Sequence, residues 1–70
     1  MEALSNVKSG ETCTVKWMFG NPGILEWMDS HDMKEGSEIR VVQNFIGHMI
    51  VSVGGSRLAL SRDVAERIKV

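Results

Sequence analysis

The sequence is poor in residues that cross-link or anchor a protein. Its single cysteine, Cys13, rules out a disulfide within the chain and a C-x-x-C zinc or redox motif. No apolar run approaches the roughly 18 residues of a membrane span, and residues 1–6 lack the basic start and apolar stretch of a secretory signal. We therefore expect a cytoplasmic protein that does not insert into a membrane.

Charge forms no strong pattern. Eight basic and nine acidic side chains give a net charge of −1, and neither sign occurs in a run. A nucleic-acid binder needs a basic patch, so we do not expect nucleic acid as a partner. The phosphate-binding patterns G-x-x-x-x-G-K and G-x-G-x-x-G are both absent, which argues against nucleotide binding.

Groups suited to catalysis are also few. No serine lies in a G-x-S-x-G context, and Cys13 alternates with Val15 in the manner of a small core residue. The carboxylates of Glu26, Asp29 and Asp32 lie on or near the polar face of a predicted helix, without the apolar surroundings that acid–base catalysis requires. We do not expect an enzyme.

Short runs of alternating apolar and polar residues dominate the chain, with turn residues between them at intervals of about 8 to 12. In the run from Thr12 to Phe19, this alternation predicts a strand with Cys13, Val15, Trp17 and Phe19 facing inward and Met18 facing outward. Further strands are predicted at 38–45, with Phe45 inward and Asn44 outward, and at 49–53, 58–60 and 68–70. Gly54-Gly55 predicts a tight hairpin turn, and the fold class is all-β.

Two segments break this pattern. Asn21 as a cap and Pro22 in the first turn open a helical run. Its apolar residues cover an arc of roughly 160°, which is wider than one sheet contact needs, so we expect the edge at Trp27 to stay partly exposed. Ser61 is the predicted cap of a second, short helix that ends at Arg67, before a closing strand.

Aromatic and methionine side chains provide the best candidate site. Because Trp17 and Phe19 are expected inward, Met18 is left on the outer face, where it would line an adaptable groove beside Trp27. We expect a protein partner to contact Met18, Ile24, Trp27 and Met28, with Trp27 as the anchor. A purely structural role in the core is the alternative for these side chains.

A second candidate is a metal site built from His31, Asp32, Glu35 and His48, whose side chains suit Fe²⁺ or another divalent transition metal. Their spacing matches no standard motif. The alternative is that His31 stabilises a helix C-terminus, Asp32 forms the following turn, and Glu35 and His48 are solvated. No cofactor is required by either interpretation.

Several sequence blocks, in this order, resemble a known family. They are Lys8-Ser9-Gly10-Glu11, the helix at Ile24 to His31, Glu35-Gly36-Ser37-Glu38-Ile39-Arg40-Val41, and Leu58-Ala59-Leu60 with Ala65, Ile68 and Val70. From about Leu4 to Val70 the chain resembles the FeoA family of ferrous iron transport proteins, and is also similar to the C-terminal domain of diphtheria-toxin-repressor-like metalloregulators. Trp27 and Met28 depart from the family pattern of a basic residue followed by Leu, and Asp32 replaces a helix-ending Gly.

The resemblance implies one SH3-like barrel over residues 1–70, with about five strands, one helix inserted after the first strand and a short helix before the last. It implies a non-catalytic accessory of ferrous iron uptake that binds the cytosolic part of the ferrous iron permease, which includes a GTP-binding domain. It leaves open whether the protein activates or inhibits the permease, and whether it forms a homo-oligomer. A divalent-metal sensor and a small-barrel peptide-binding module are the alternative hypotheses.

Overall fold

The computed structural model describes residues 1–70 and contains two antiparallel sheets with two short α-helices. The elements in chain order are a 3₁₀ turn at Leu4–Asn6, β1 (Thr12–Thr14), β2 (Trp17–Met18), α1 (Pro22–Ser30), β3 (Glu38–Asn44), β4 (His48–Val53), β5 (Ser56–Ser61), α2 (Arg62–Glu66) and β6 (Ile68–Lys69). One sheet has the order β1-β3-β4-β5 and the other pairs β2 with β6. The predicted all-β class with two short helices is confirmed, although the strands form two sheets and not one closed barrel.

The first predicted strand is divided in two, so six strands replace the expected five. Val15 exchanges backbone hydrogen bonds with the segment Gly36–Ser37, and the next residue, Lys16, already donates to the carbonyl of Lys69. The chain thus passes from one sheet to the other between Val15 and Lys16, and the alternation of inward and outward side chains shifts by one residue. Trp17 and Phe19, which were expected inward, are 48% and 38% exposed.

A β-bulge disturbs the second predicted strand. The register between β3 and β4 shifts between Val41 and Gln43, and an extra residue in one strand reverses which face the following side chains occupy. Asn44 therefore points inward, where its Nδ2 donates to the carbonyls of Ser5 and Val7 at 3.0 and 2.8 Å. Phe45 is 45% exposed, so its predicted inward position is wrong.

The turn between β4 and β5 forms as predicted. Val53 pairs with Ser56, and Gly54 and Gly55 have φ angles of 58° and 82°. Positive φ at both central residues defines the type I′ hairpin turn, a conformation that glycine adopts without steric cost.

Both helices begin at the predicted caps. The Asn21 side chain accepts a hydrogen bond from the backbone N–H of Ile24 at 2.9 Å, and Ser61 Oγ accepts from the N–H of Val64 at 3.2 Å. Asp32, just beyond α1, has a φ of 63°, the left-handed conformation expected where the family has glycine. Since α1 has nine residues, neither helix is long enough to span a bilayer.

A single cluster of buried apolar side chains fills the interior. It consists of Leu4, Val7, Val15, Met28, Met33, Ile39, Val41, Met49, Val51, Val53, Leu60, Ala65 and Ile68. Met28 is the one fully buried residue of α1. The neighbouring side of this helix is therefore free to line a surface cleft.

Candidate functional site

An open apolar cleft of about 420 Å³ lies between α1 on one side and the end of β5 with the start of α2 on the other. Ile24 and Trp27 line it from α1, Ala59 and Leu60 from β5, and Val64 from α2. We call this surface the α1–β5 cleft. It contains no titratable side chain, so it suits an apolar group and not an ion.

The two helix-capping residues lie in opposite walls of the α1–β5 cleft. Asn21 caps α1 three residues before Ile24, and Ser61 ends β5 and caps α2 three residues before Val64. Both capping residues also line the cleft. Each cap restricts how the chain enters its own helix, and so fixes the local direction of one wall.

Trp27 is 38% exposed, so the prediction that this edge of the helix remains partly exposed is confirmed. Its ring lies 4.6 Å from that of His31, centroid to centroid, with an angle of 41° between the planes. His31 Nδ1 is in turn 2.8 Å from the carbonyl oxygen of Trp27, within hydrogen-bond distance. The indole is therefore held against the end of α1 while part of it faces solvent.

The structure brings together only two of the four predicted partner contacts. Ile24 and Trp27 line the α1–β5 cleft. Met28, the residue after Trp27, has no exposed surface and points into the core. The prediction that Met28 touches a partner is therefore corrected. The prediction for Met18 is also corrected. The shift in alternation at Lys16 turns Met18 toward the core opposite Ile68, and not outward beside Trp27.

The predicted metal candidates are dispersed. His31 interacts with the carbonyl of Trp27 at the end of α1, Asp32 lies with its carboxylate against Gly54, and Glu35 is exposed in the next turn. His48 is exposed at the start of β4, where its ring stacks 4.7 Å from that of Phe45. No three His, Cys, Asp or Glu side chains lie close enough to hold a metal ion together.

Cys13 is half-buried and packs against the core, as the sequence indicated. Its Sγ lies 3.6 Å from the carbonyl oxygen of Ile39, and burial raises the pKa of the thiol, with Glu2 and Glu11 adding to the effect. The neutral thiol is therefore favoured, which is the opposite of what a nucleophilic or metal-binding cysteine needs.

Sequence reasoning missed the β5 and α2 side of the cleft. Neither Ala59 nor Val64 was predicted to line a site, because neither is unusual in a strand or a short helix. The one local signal was Ser61, the predicted cap of α2, which lies between Ala59 and Val64 in the chain.

The structure defines a small β-rich domain with an open apolar cleft between α1 and β5. The FeoA domain family matches residues 2–70. A Methanocaldococcus jannaschii protein, named as a candidate Fe(2+) transport protein A, is 33% identical over 70 residues, which is 100% of this chain and 85% of that protein. The chain therefore belongs to the FeoA family of ferrous iron transport proteins.

Solved structures agree with this assignment and with the SH3-like fold. The crystal structure of an iron uptake regulatory protein (FeoA) is 28% identical, with a TM-score of 0.87 over 94% of this chain and 89% of that one. A manganese-dependent transcriptional repressor is 24% identical, with a TM-score of 0.87 over 96% of this chain but only 39% of the repressor. The second similarity shows that the fold is shared with part of a metalloregulator. None of these relatives is named as an enzyme.

Proposed function

We propose that this protein is an accessory of ferrous iron uptake that docks through the α1–β5 cleft onto the cytosolic part of a ferrous iron permease, the part that includes a GTP-binding domain. Membership of the FeoA family supports the pathway. The observation that carries the docking mode is the exposure of Trp27 in an apolar cleft of about 420 Å³.

The α1–β5 cleft has the properties of a protein-binding hot spot. Its volume falls within the range of roughly 300–1,000 Å³ that is typical of binding pockets, and its lining is mainly apolar. Tryptophan is the residue most enriched among interface anchors, especially where smaller apolar side chains surround it. Here Ile24, Leu60 and Val64 supply those neighbours.

The size of the Trp27 contribution follows from its exposed area. A tryptophan presents up to about 250 Å², so the 38% that remains exposed is about 95 Å². Removing that area from water contributes about 2 kcal/mol at about 25 cal/mol per Å². Truncation of Trp27 is therefore expected to weaken binding about 30-fold.

The test is a binding titration of the purified protein against the cytosolic part of the host's ferrous iron permease. Trp27→Ala should lose about 30-fold in affinity, whereas the matched control Trp17→Ala, which removes an equally large exposed indole outside the cleft, should bind as the parent does. Circular dichroism checks that both variants fold. Equal affinities of the parent and Trp27→Ala would refute docking through the cleft.

The alternative hypotheses are separated in the same titration. Binding that appears only with Fe²⁺ and disappears with chelator would favour a metal sensor that uses His31, Asp32, Glu35 or His48. Capture of unrelated extended peptides with the same affinity would favour a general peptide-binding module. Sedimentation of the protein alone measures whether it forms a homo-oligomer.

A further inference from the structure

A second surface of the molecule carries aromatic and cationic side chains together. Trp17 and Phe19 lie on the outer face of the β2–β6 sheet with their ring centroids 5.1 Å apart. The Lys69 ammonium group and the Arg67 guanidinium lie 5.7 and 6.0 Å from the centroid of the Phe19 ring, within range of a cation–π interaction. We call these four residues the β2–β6 face.

This face carries two cations close to the Phe19 ring, although the whole chain has a net charge of −1. Lys16, Arg67 and Lys69 lie in the segments that contain its two strands. Glu2, whose backbone pairs with Val70, and Glu66 lie at the margins of the sheet. Arg67 and Lys69 therefore place two cations beside two exposed aromatic rings.

The β2–β6 face has no concavity. None of the three cavities of the molecule is lined by Trp17, Phe19, Arg67 or Lys69. An inserted side chain would find no pocket here, so the face fits a broad, flat and anionic partner. A long polyanion such as nucleic acid would also meet the net negative charge of the rest of the chain.

We propose that the β2–β6 face docks on the anionic headgroups of a lipid bilayer. Tryptophan favours the boundary between water and hydrocarbon, phenylalanine adds apolar area there, and lysine and arginine next to them pair with lipid phosphates. With two aromatic rings and two cations, the attachment is weak and reversible, unlike that of a spanning helix. It shares no residue with the α1–β5 cleft and stands independently of the proposed permease contact.

The test measures binding of the whole protein to vesicles of phosphatidylcholine, with and without phosphatidylglycerol. Two single-tryptophan variants report on the two surfaces: Trp27→Phe leaves Trp17 as the only indole, and Trp17→Phe leaves Trp27. Vesicles containing phosphatidylglycerol should shift the emission of Trp17 to the blue and leave that of Trp27 unchanged. No shift for Trp17, or equal shifts for both indoles, would overturn the proposal.

Charge variants test the electrostatic part by co-sedimentation. Lys69→Gln should weaken binding to the anionic vesicles about fivefold, because each basic side chain near such a surface contributes about that factor. The matched control Lys34→Gln removes an exposed lysine from the turn after α1 and should bind as the parent does. Equal losses in the two variants would refute a specific face.

Two further outcomes would indicate a different contact or a different ligand. Ile46, at the tip of the β3–β4 turn, is 94% exposed, and loss of vesicle binding in Ile46→Ser with none in Lys69→Gln would move the contact to that tip. Quenching of Trp17 by single-stranded oligonucleotide without any response to vesicles would make the face a nucleic-acid surface. Either result overturns the lipid proposal.

Discussion

Replacement of Gly54 by alanine tests how α1 is attached to the sheet. A Cβ at Gly54 would lie 2.8 Å from Oδ2 and 3.2 Å from Cβ of Asp32, the residue that ends the turn after α1. Gly55, the next residue of the same turn, also has a positive φ, but a Cβ there would meet nothing within 4 Å. The two glycines thus form a matched pair of positive-φ residues, of which Gly54 alone approaches Asp32.

The expected magnitudes follow from this difference. Gly55→Ala incurs the left-handed backbone penalty of about 1–2 kcal/mol, less the smaller entropy of the unfolded alanine chain, for a net loss near 1 kcal/mol. Gly54→Ala incurs the same cost and adds overpacking of about 1–3 kcal/mol, for a total of about 2–4 kcal/mol. That total is a large part of the stability of a domain of this size, about 4–10 kcal/mol.

Urea unfolding followed by circular dichroism measures both losses, and a background of Asp32→Gly identifies their source. Asp32→Gly removes every atom that the new Cβ would strike, so Gly54→Ala in that background should cost no more than Gly55→Ala. Equal losses for Gly54→Ala and Gly55→Ala in the parent would refute the contact. So would an extra loss at Gly54 that persists without the Asp32 side chain.

Three further predictions concern the helix start, the core and the thiol. Asn21→Ala should destabilise the protein by about 1 kcal/mol in urea unfolding, because the N–H of Ile24 loses its acceptor; an unchanged midpoint would contradict this. Met28→Ala should cost about 2–5 kcal/mol in thermal unfolding, since the side chain is fully buried, and a loss below about 1 kcal/mol would show that the site is not packed. Because burial raises its pKa, Cys13 should react with a thiol reagent more slowly in the folded protein than in urea at the same mildly alkaline pH, and its rate should still rise above the ordinary thiol pKa; equal rates would count against this environment.

The parts of the fold that the sequence predicted correctly are those encoded within a few residues. Gly54-Gly55 forms the type I′ turn because two adjacent glycines tolerate positive φ, whatever surrounds them. Asn21 and Ser61 cap their helices through bonds to residues three positions ahead. Such interactions depend on sequence spacing alone, so they can be recognised without knowledge of the tertiary structure.

The errors occur where the chain changes its partner. Nothing local marks Lys16 as the point where pairing passes from the segment Gly36–Ser37 to Lys69, because that segment and Lys69 are distant in sequence. The bulge after Val41 is similarly a property of two strands together. Each event shifts the alternation by one residue, which reverses the predicted positions of Met18 and Phe45.

The same reasoning explains why only part of the site was predictable. Trp27 was found because a helical arc wider than its sheet contact can be counted from sequence. Met28, one residue further on, belongs to the same arc but is fully buried, and only the packing of α1 on the core distinguishes the two. The opposite wall, Ala59 and Val64, comes from a distant segment that the topology brings across.

The fold by itself does not decide between transport and gene regulation. A FeoA crystal structure and a manganese-dependent repressor superpose on this chain with the same TM-score of 0.87, so the backbone does not distinguish them. The difference lies in extent, because the chain covers 89% of the former and 39% of the latter. A repressor thus uses this fold as one part of a longer chain, whereas the FeoA protein consists almost wholly of it. Function on such a shared fold depends on its surfaces, and the two surfaces proposed above, the α1–β5 cleft and the β2–β6 face, can be tested separately with Trp27→Ala and Lys69→Gln.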